Sequence, residues 1–252
     1  MKLLFIGDVN GEDGVRFLAD NIDDIRKKYK INVVVVNGEN ANEGRGITSK
    51  IYKDFMKMGV NVITMGNHTF SHKDIDKLLE EKANIIIPAN YPTHLKNGYI
   101  TIKYNNETIT VINILGRVYM NLPLECPFQT AKKIIDEVKS DYYIIDFHAE
   151  ATSEKKALGY YLDGINGAIL GTHTHIQTAD ETILEKGTFY ITDVGMTGPL
   201  DGIIGADREL ITQRFLEGRP TRLVMATGRM QLNGVVIDFD LKKIERINIK
   251  QS

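Results

Sequence analysis

The chain has 252 residues, 42% of them hydrophobic, and its 31 basic and 33 acidic side chains leave a formal net charge of -2. That balance offers no electrostatic footprint for duplex DNA or an anionic membrane, and no apolar run approaches the roughly 20 residues of a bilayer span. A single cysteine, Cys126, excludes an internal disulfide and suits a reducing compartment, so a cytoplasmic protein is expected.

The N-terminal "MKLLFIGDVNG" has too short an apolar run for a signal-peptide core and reads as a strand, followed by a helix over 13–29. "INVVVVNG" reads as a buried strand, and "TSKIYKDFMKMG" as a helix capped by Thr48 and stopped by Gly59. "VNVITMG", a helix over 71–83 and "NIIIPAN" continue an alternation that predicts a largely parallel α/β core. "GYITIKYNNETITVINILG" then carries a hairpin signal at "NNE". A helix over 129–139 leads into "DYYIIDFH", and one over 153–162 precedes "GAILGTHTH". "TILEKGTFYITDVG" is a second hairpin candidate. A helix over 207–217 and strands at "TRLVMAT", "RMQLNGVVIDFD" and "KIERINI" end the chain. The later segments add antiparallel pairing, so a two-sheet sandwich flanked by helices fits better than a doubly wound fold. No linker or repeat divides it, and one domain over 1–252 is expected.

Five of these strands share one grammar: an apolar run, often a glycine, then donors able to bind metal. The segments "LLFIGDVN", "VVVVNGEN", "VITMGNH", "YYIIDFH" and "AILGTHTH" offer Asp8, Asn10, Glu39, Asn40, Asn67, His68, His148, His173 and His175. Carboxyl ends of parallel strands form the ligand crevice of α/β sheets, and glycines let the backbone turn sharply there. Taken singly, Asp8 is an ordinary cap or turn residue and "GEN" and "GNH" are ordinary turn chemistry. Taken together, in a chain of six histidines, they predict a metal site. His173 and His175, one residue apart, could serve two neighbouring ions. Two divalent ions facing the carboxylates of Asp8 and Glu39 would leave a positive centre suited to an anionic phosphate ester. Such a pair clamps the oxygens of an in-line displacement and acidifies water towards a pKa of about 7. Nitrogen and oxygen donors without thiolate suit Fe, Mn or Zn.

The order of these motifs resembles the calcineurin-like metallophosphoesterases. "GDVNG", "NGENA", "GNHTF", "DFHAEATSEK", "GTHTHIQTAD" and "TDVGMTGP" resemble one bacterial branch, the YmdB-type phosphodiesterases, over essentially the whole chain. The resemblance implies an αββα sandwich, mixed parallel and antiparallel, with a two-metal centre, often iron. It also implies hydrolysis of 2′,3′-cyclic nucleotides by a metal-bridging hydroxide. Glu39 would bridge the ions, Asp8, Asn40 and His175 would hold metal 1, and Asn67, His148 and His173 metal 2. His68 would be the general acid. The chain departs from the wider superfamily at Asn10, where a histidine is usual, and at Glu39, where aspartate is usual; Asn10 is left to a turn or supporting role.

A phosphomonoesterase or 5′-nucleotidase on the same centre, and a regulatory nucleotide-binding protein, are the rival readings; a homo-oligomer is compatible with each. His72 reads as exposed or capping, His94 as a loop residue at the entrance, and Arg117 as a phosphate contact or a structural salt bridge. Cys126 reads as a buried apolar residue. "EATSEK" over 150–155 reads as a helix start capped by Ser or Thr, and the glycine-rich 195–207 as a loop shaping the pocket.

Overall fold

The computed structural model describes residues 1–92 and 97–252. His94 lies outside the described residues. The first half alternates as its periodicity predicts: β1 (Lys2–Ile6), β2 (Asp8–Val9), α1 (Gly11–Tyr29), β3 (Val33–Asn37), α2 (Ser49–Lys57), β4 (Val62–Thr64), α3 (Asp74–Glu80) and β5 (Ile85–Ile86). It continues through β6 (Tyr99–Tyr104), β7 (Glu107–Leu115), α4 (Pro127–Glu137), β8 (Tyr142–His148), α5 (Thr152–Tyr161), β9 (Gly167–Thr172), β10 (Thr182–Ile183) and β11 (Phe189–Ile191). β12 (Met196–Pro199), α6 (Arg208–Glu217), β13 (Met230–Asp238) and β14 (Lys243–Lys250) complete it.

The strands form an eight-stranded sheet, ordered β2-β12-β13-β1-β3-β4-β5 with β14 on β13, and a six-stranded sheet, ordered β10-β11-β9-β8-β7-β6. Both hairpins form: β6 pairs antiparallel with β7, and β10 with β11. The antiparallel contribution is distributed differently from the expectation. β7, β8, β9 and β11 are parallel to one another, and β13 inserts antiparallel against β1 in the first sheet.

Strand residues point alternately to two faces, and here both faces are covered. Leu3, Phe5, Val33 and Val35 of the first sheet meet Ile109, Val111, Ile144 and Leu170 of the second in a core between the sheets. Their neighbours Leu4, Ile6, Val34 and Val36 pack against Leu18, Ile22, Ile51, Phe55 and Leu78 of the first three helices. On the far side Ile112, Ile114, Ile145 and Phe147 pack against Ala131 and Ile134 of α4, Leu158 of α5 and Leu162 just after it. Burial on both faces accounts for the unbroken Val and Ile runs and gives the αββα sandwich. Among the described residues no helix is long and apolar enough to cross a membrane.

Three local readings are corrected. "TRLVMAT" forms no strand: Met225 makes one isolated bridge to Ala206, and among the described residues no strand pairs with the rest of the segment. α5 starts at Thr152, so its cap position is Ala151, which has no side-chain acceptor, and the expected Ser or Thr cap does not form. Cys126 is half-buried and precedes α4. α2 does carry its expected cap, Thr48 Oγ1 accepting from Ile51 N at 3.2 Å. Thr48→Ala is expected to cost about 1 kcal/mol, read as a lower urea midpoint with unchanged slope.

Candidate metal centre

β1, β3 and β4 are mutually parallel, as are β8 and β9, and the carboxyl ends of both sets converge. Just below that edge lies a buried carboxylate, Asp146, which joins the sheets. It accepts from Asn37 Nδ2 at 2.9 Å, from Thr172 Oγ1 at 2.6 Å and from the Thr64 hydroxyl. Burial pushes Asp146 up to about 7, opposed by these three donors.

Above it, His148 Nε2 lies 3.0 Å from Glu39 Oε1, 2.9 Å from Asn67 Oδ1 and 3.0 Å from His173 Nδ1. Alongside, His175 Nε2 lies 3.8 Å from Asp8 Oδ1 and 3.1 Å from Asn40 Nδ2. Asn40 Nδ2 in turn sits 3.4 Å from Asp8 Oδ1 and 3.3 Å from Glu39 Oε1. All seven residues expected to hold metal are thus brought together, with Glu39 touching both halves. His68 lines the cavity above, and its backbone N–H donates to Glu39 Oε2 at 2.9 Å.

Each histidine's outer nitrogen settles what its inner nitrogen can do. The Thr172 hydroxyl donates to Asp146, so His148 Nδ1 must donate to Thr172 Oγ1, at 2.9 Å. His175 Nδ1 donates to the Ile204 carbonyl at 2.8 Å, and His173 Nε2 faces Glu150 Oε2 at 3.0 Å. All three inner nitrogens therefore present lone pairs. Burial pushes His148 down to about 4 and His173 to about 3, which keeps both neutral near pH 7. Burial raises Asp8, opposed by His175 and His148.

Lone pairs of three imidazoles, two carboxylates and an amide oxygen pointed at one another are satisfied only by cations, so the donor set fits a metal. Gly66 keeps the space open, since a Cβ there would lie 2.3 Å from Glu39 Oε2 and 2.6 Å from His148 Nε2. The buried Asn40 Oδ1 has no partner among the described residues. Half a turn of its amide would aim that oxygen at Asp8, Glu39 and His175, a position only a cation makes favourable.

Asn10 stands apart: its Nδ2 contacts Met196 Sδ at 3.3 Å and the Ile204 carbonyl at 3.4 Å. His72 is half-buried, and its Nδ1 accepts from Asp74 N at 3.2 Å, a capping role as expected. Arg117 is exposed and outside the residues lining the cavity; its backbone N–H donates to Glu154 at 3.0 Å and its carbonyl accepts from Met120 N at 3.3 Å.

Several supporting residues escape a reading of the sequence. His173 and His175 both have positive φ, 100° and 65°, costly for non-glycine residues. The turn is held by Asp8 Oδ2 accepting from His173 N at 3.1 Å and by Asp193 Oδ2 accepting from Thr174 N at 3.0 Å. Asp193 is itself paired with the buried Lys155 at 2.6 Å. Glu150, Lys155 and Asp193 lie in the motifs "EATSEK" and "TDVG", whose recurrence in the resembling family was the only signal for them.

An αββα sandwich with candidate metal-binding residues at the joined carboxyl ends of its sheets is a metallophosphoesterase-like fold. A Staphylococcus aureus putative 5′-nucleotidase shares this fold, at TM-score 0.58 and 14% identity over 98% of this chain and 53% of that one. The chain belongs to the YmdB-like protein family, whose model matches residues 4–251. It is 48% identical to the 2′,3′-cyclic-nucleotide 2′-phosphodiesterase of Bacillus subtilis (strain 168), over 99% of this chain and 97% of that protein. A crystal structure described as a novel phosphatase of Mycoplasma pneumoniae superposes at TM-score 0.91 with 36% identity, over 100% of this chain and 93% of that one.

Glu150→Ala tests the outer partners. Glu150 is 49% exposed, so its loss should leave the melting temperature nearly unchanged while weakening metal affinity about 10–100-fold in competition with a chelator. Unaltered affinity would reduce Glu150 to a surface carboxylate.

Proposed function

We propose that this protein is a metal-dependent phosphodiesterase that opens 2′,3′-cyclic nucleotides. The observation that carries the reading is the lone-pair cluster of Asp8, Glu39, Asn67, His148, His173 and His175, in a chain 48% identical to a relative named for that reaction. Asp8, Asn40 and His175 would hold one ion, Asn67, His148 and His173 a second, and Glu39 would reach both. When bound, the ions supply an activated water and a clamp on the phosphoryl oxygens. Iron is the favoured metal, with manganese or zinc also suited to these donors.

The chain's own groups do the rest. Arg45, beside His68 in the cavity wall, offers a guanidinium to the phosphate. Water adds to phosphorus, the P–O2′ bond breaks, and the departing ribose oxygen takes a proton from the His68 imidazole, leaving a 3′-nucleotide. Burial holds His68 below its ordinary value while Glu39 acts in the opposite direction. To act as the acid, the ring must carry its second proton when the substrate is bound.

The test is turnover of 2′,3′-cAMP, bis-p-nitrophenyl phosphate and p-nitrophenyl phosphate by Mn²⁺- or Fe²⁺-loaded protein. Turnover of the two diesters supports the reading; turnover of the monoester alone assigns a phosphomonoesterase, in keeping with the Mycoplasma pneumoniae relative. Elemental analysis should find two metals per chain in the native sequence, none in Glu39→Ala and one in His148→Ala; one per fully loaded chain would sink the dinuclear arrangement. His68→Ala should keep its metals yet lose roughly 10²–10⁴-fold on 2′,3′-cAMP. The loss should be smaller on bis-p-nitrophenyl phosphate, whose leaving group needs little protonation. Equal losses on both would remove the acid role.

A further inference from the structure

The cavity above the metal-ligand cluster, about 440 Å³, has two chemically different halves. Its floor is polar: Glu39, Asn40, His68, His173 and His175, with Arg45 at the side. Its wall is apolar: Ile204, Ile211, Phe215, Leu223 and Met225. A phosphate needs only the floor. The volume falls within the range of small-molecule sites and leaves room for a second, apolar portion of the substrate.

The wall is built for something other than the core. α6 buries none of its residues, although Asp207 caps its start, accepting from Leu210 N at 2.9 Å, and Gly218 ends it in a left-handed turn. Ile211 and Phe215, four residues apart, share the helix face that lines the cavity, with Arg214 beside them. Phe215 is 79% exposed, an unusual position for a phenyl ring. The loop residues of the wall are tied to the floor. The Ile204 carbonyl accepts from His175 Nδ1, and Ala206 bridges both Ile203 and Met225.

We infer that this wall is a nucleobase subsite, in which the base of a nucleotide stacks on Phe215 and packs against Leu223 and Met225 while its phosphate rests on the floor. The inference rests on the phosphodiesterase reading for its substrate class, but it can be tested separately. Base–aromatic contacts tolerate any base, so the subsite would select nucleotides over base-free phosphates without choosing strongly among the bases.

The measurement is calorimetric binding of 3′-AMP and of inorganic phosphate to Mn²⁺-loaded protein, with kcat/KM for 2′,3′-cAMP and for ethylene phosphate, a cyclic diester without a base. Phe215→Ala should weaken 3′-AMP binding roughly 5–100-fold and leave inorganic phosphate within about twofold. The kcat/KM should fall for 2′,3′-cAMP and hold for ethylene phosphate, and Phe215→Tyr should restore both nucleotide readouts. Equal losses for 3′-AMP and phosphate, or none for 3′-AMP, would overturn the subsite. So would a changed oligomeric state with nucleotide binding intact, which would assign the wall to a second copy of the chain. If the native protein turns over neither cyclic diester, the phosphodiesterase reading fails, while 3′-AMP against phosphate still decides the subsite.

Discussion

The cluster of donor side chains depends on one buried carboxylate. Asp146 lies between the two sheets, and its three hydrogen-bond donors come from the last residues of β3, β4 and β9. Removing such a group from water is costly unless its lone pairs are filled, so the sheets are stable only in the register that brings Asn37, Thr64 and Thr172 together. That register sets the height of everything above. Glu39 follows Asn37 by two residues, His173 follows Thr172, and His148 extends from the same strand as Asp146. Loosening this join would spread donors that now lie within about 3 Å of one another.

The next layer fixes orientation rather than position. A neutral imidazole has one donor and one acceptor nitrogen, and an outer acceptor decides which is which. The three acceptors differ in kind, a hydroxyl polarised by Asp146, the carboxylate of Glu150 and the carbonyl of Ile204, yet each leaves the inner nitrogen bare. The left-handed backbone at His173 and His175 is unfavourable alone and is held by hydrogen bonds to Thr174 N and His173 N. The buried Lys155–Asp193 pair anchors that turn, a use of an ion pair for geometry more than for stability.

Legibility in the sequence follows the locality of the cause. The strand, glycine and ligand pattern could be read because periodicity, turn residues and donor atoms all sit within a few residues of each other. Convergence of five such ends followed from parallel pairing, and the cap at Thr48 from its own helix. Lys155 was read as part of a helix start because its partner, Asp193, is 38 residues away and invisible locally. "TRLVMAT" was read as a strand from its β-branched content, but apolar residues there line a cavity through Leu223 and Met225 and have no sheet to join. α6 was legible as a helix from its capping residues and helix formers, whereas its purpose was not, since a helix without a buried face gives no sign of what it faces.

The two halves of the cavity meet at Ile204. Ile204 gives its carbonyl to His175, fixing the tautomer of that histidine, and its side chain begins the apolar wall. Ile204 has a positive φ of 47°, unfavourable for a β-branched residue, so the turn is maintained by its surroundings. Asn10 donates to the same carbonyl, and Gly205 beyond it leaves no space for a side chain: a Cβ would lie 2.1 Å from Asn10 Nδ2. This gives Asn10 a physical role without making it a ligand. It braces the turn that holds His175 against the cluster, so the separation between the polar floor and the apolar wall is set by the same contacts that orient the imidazole.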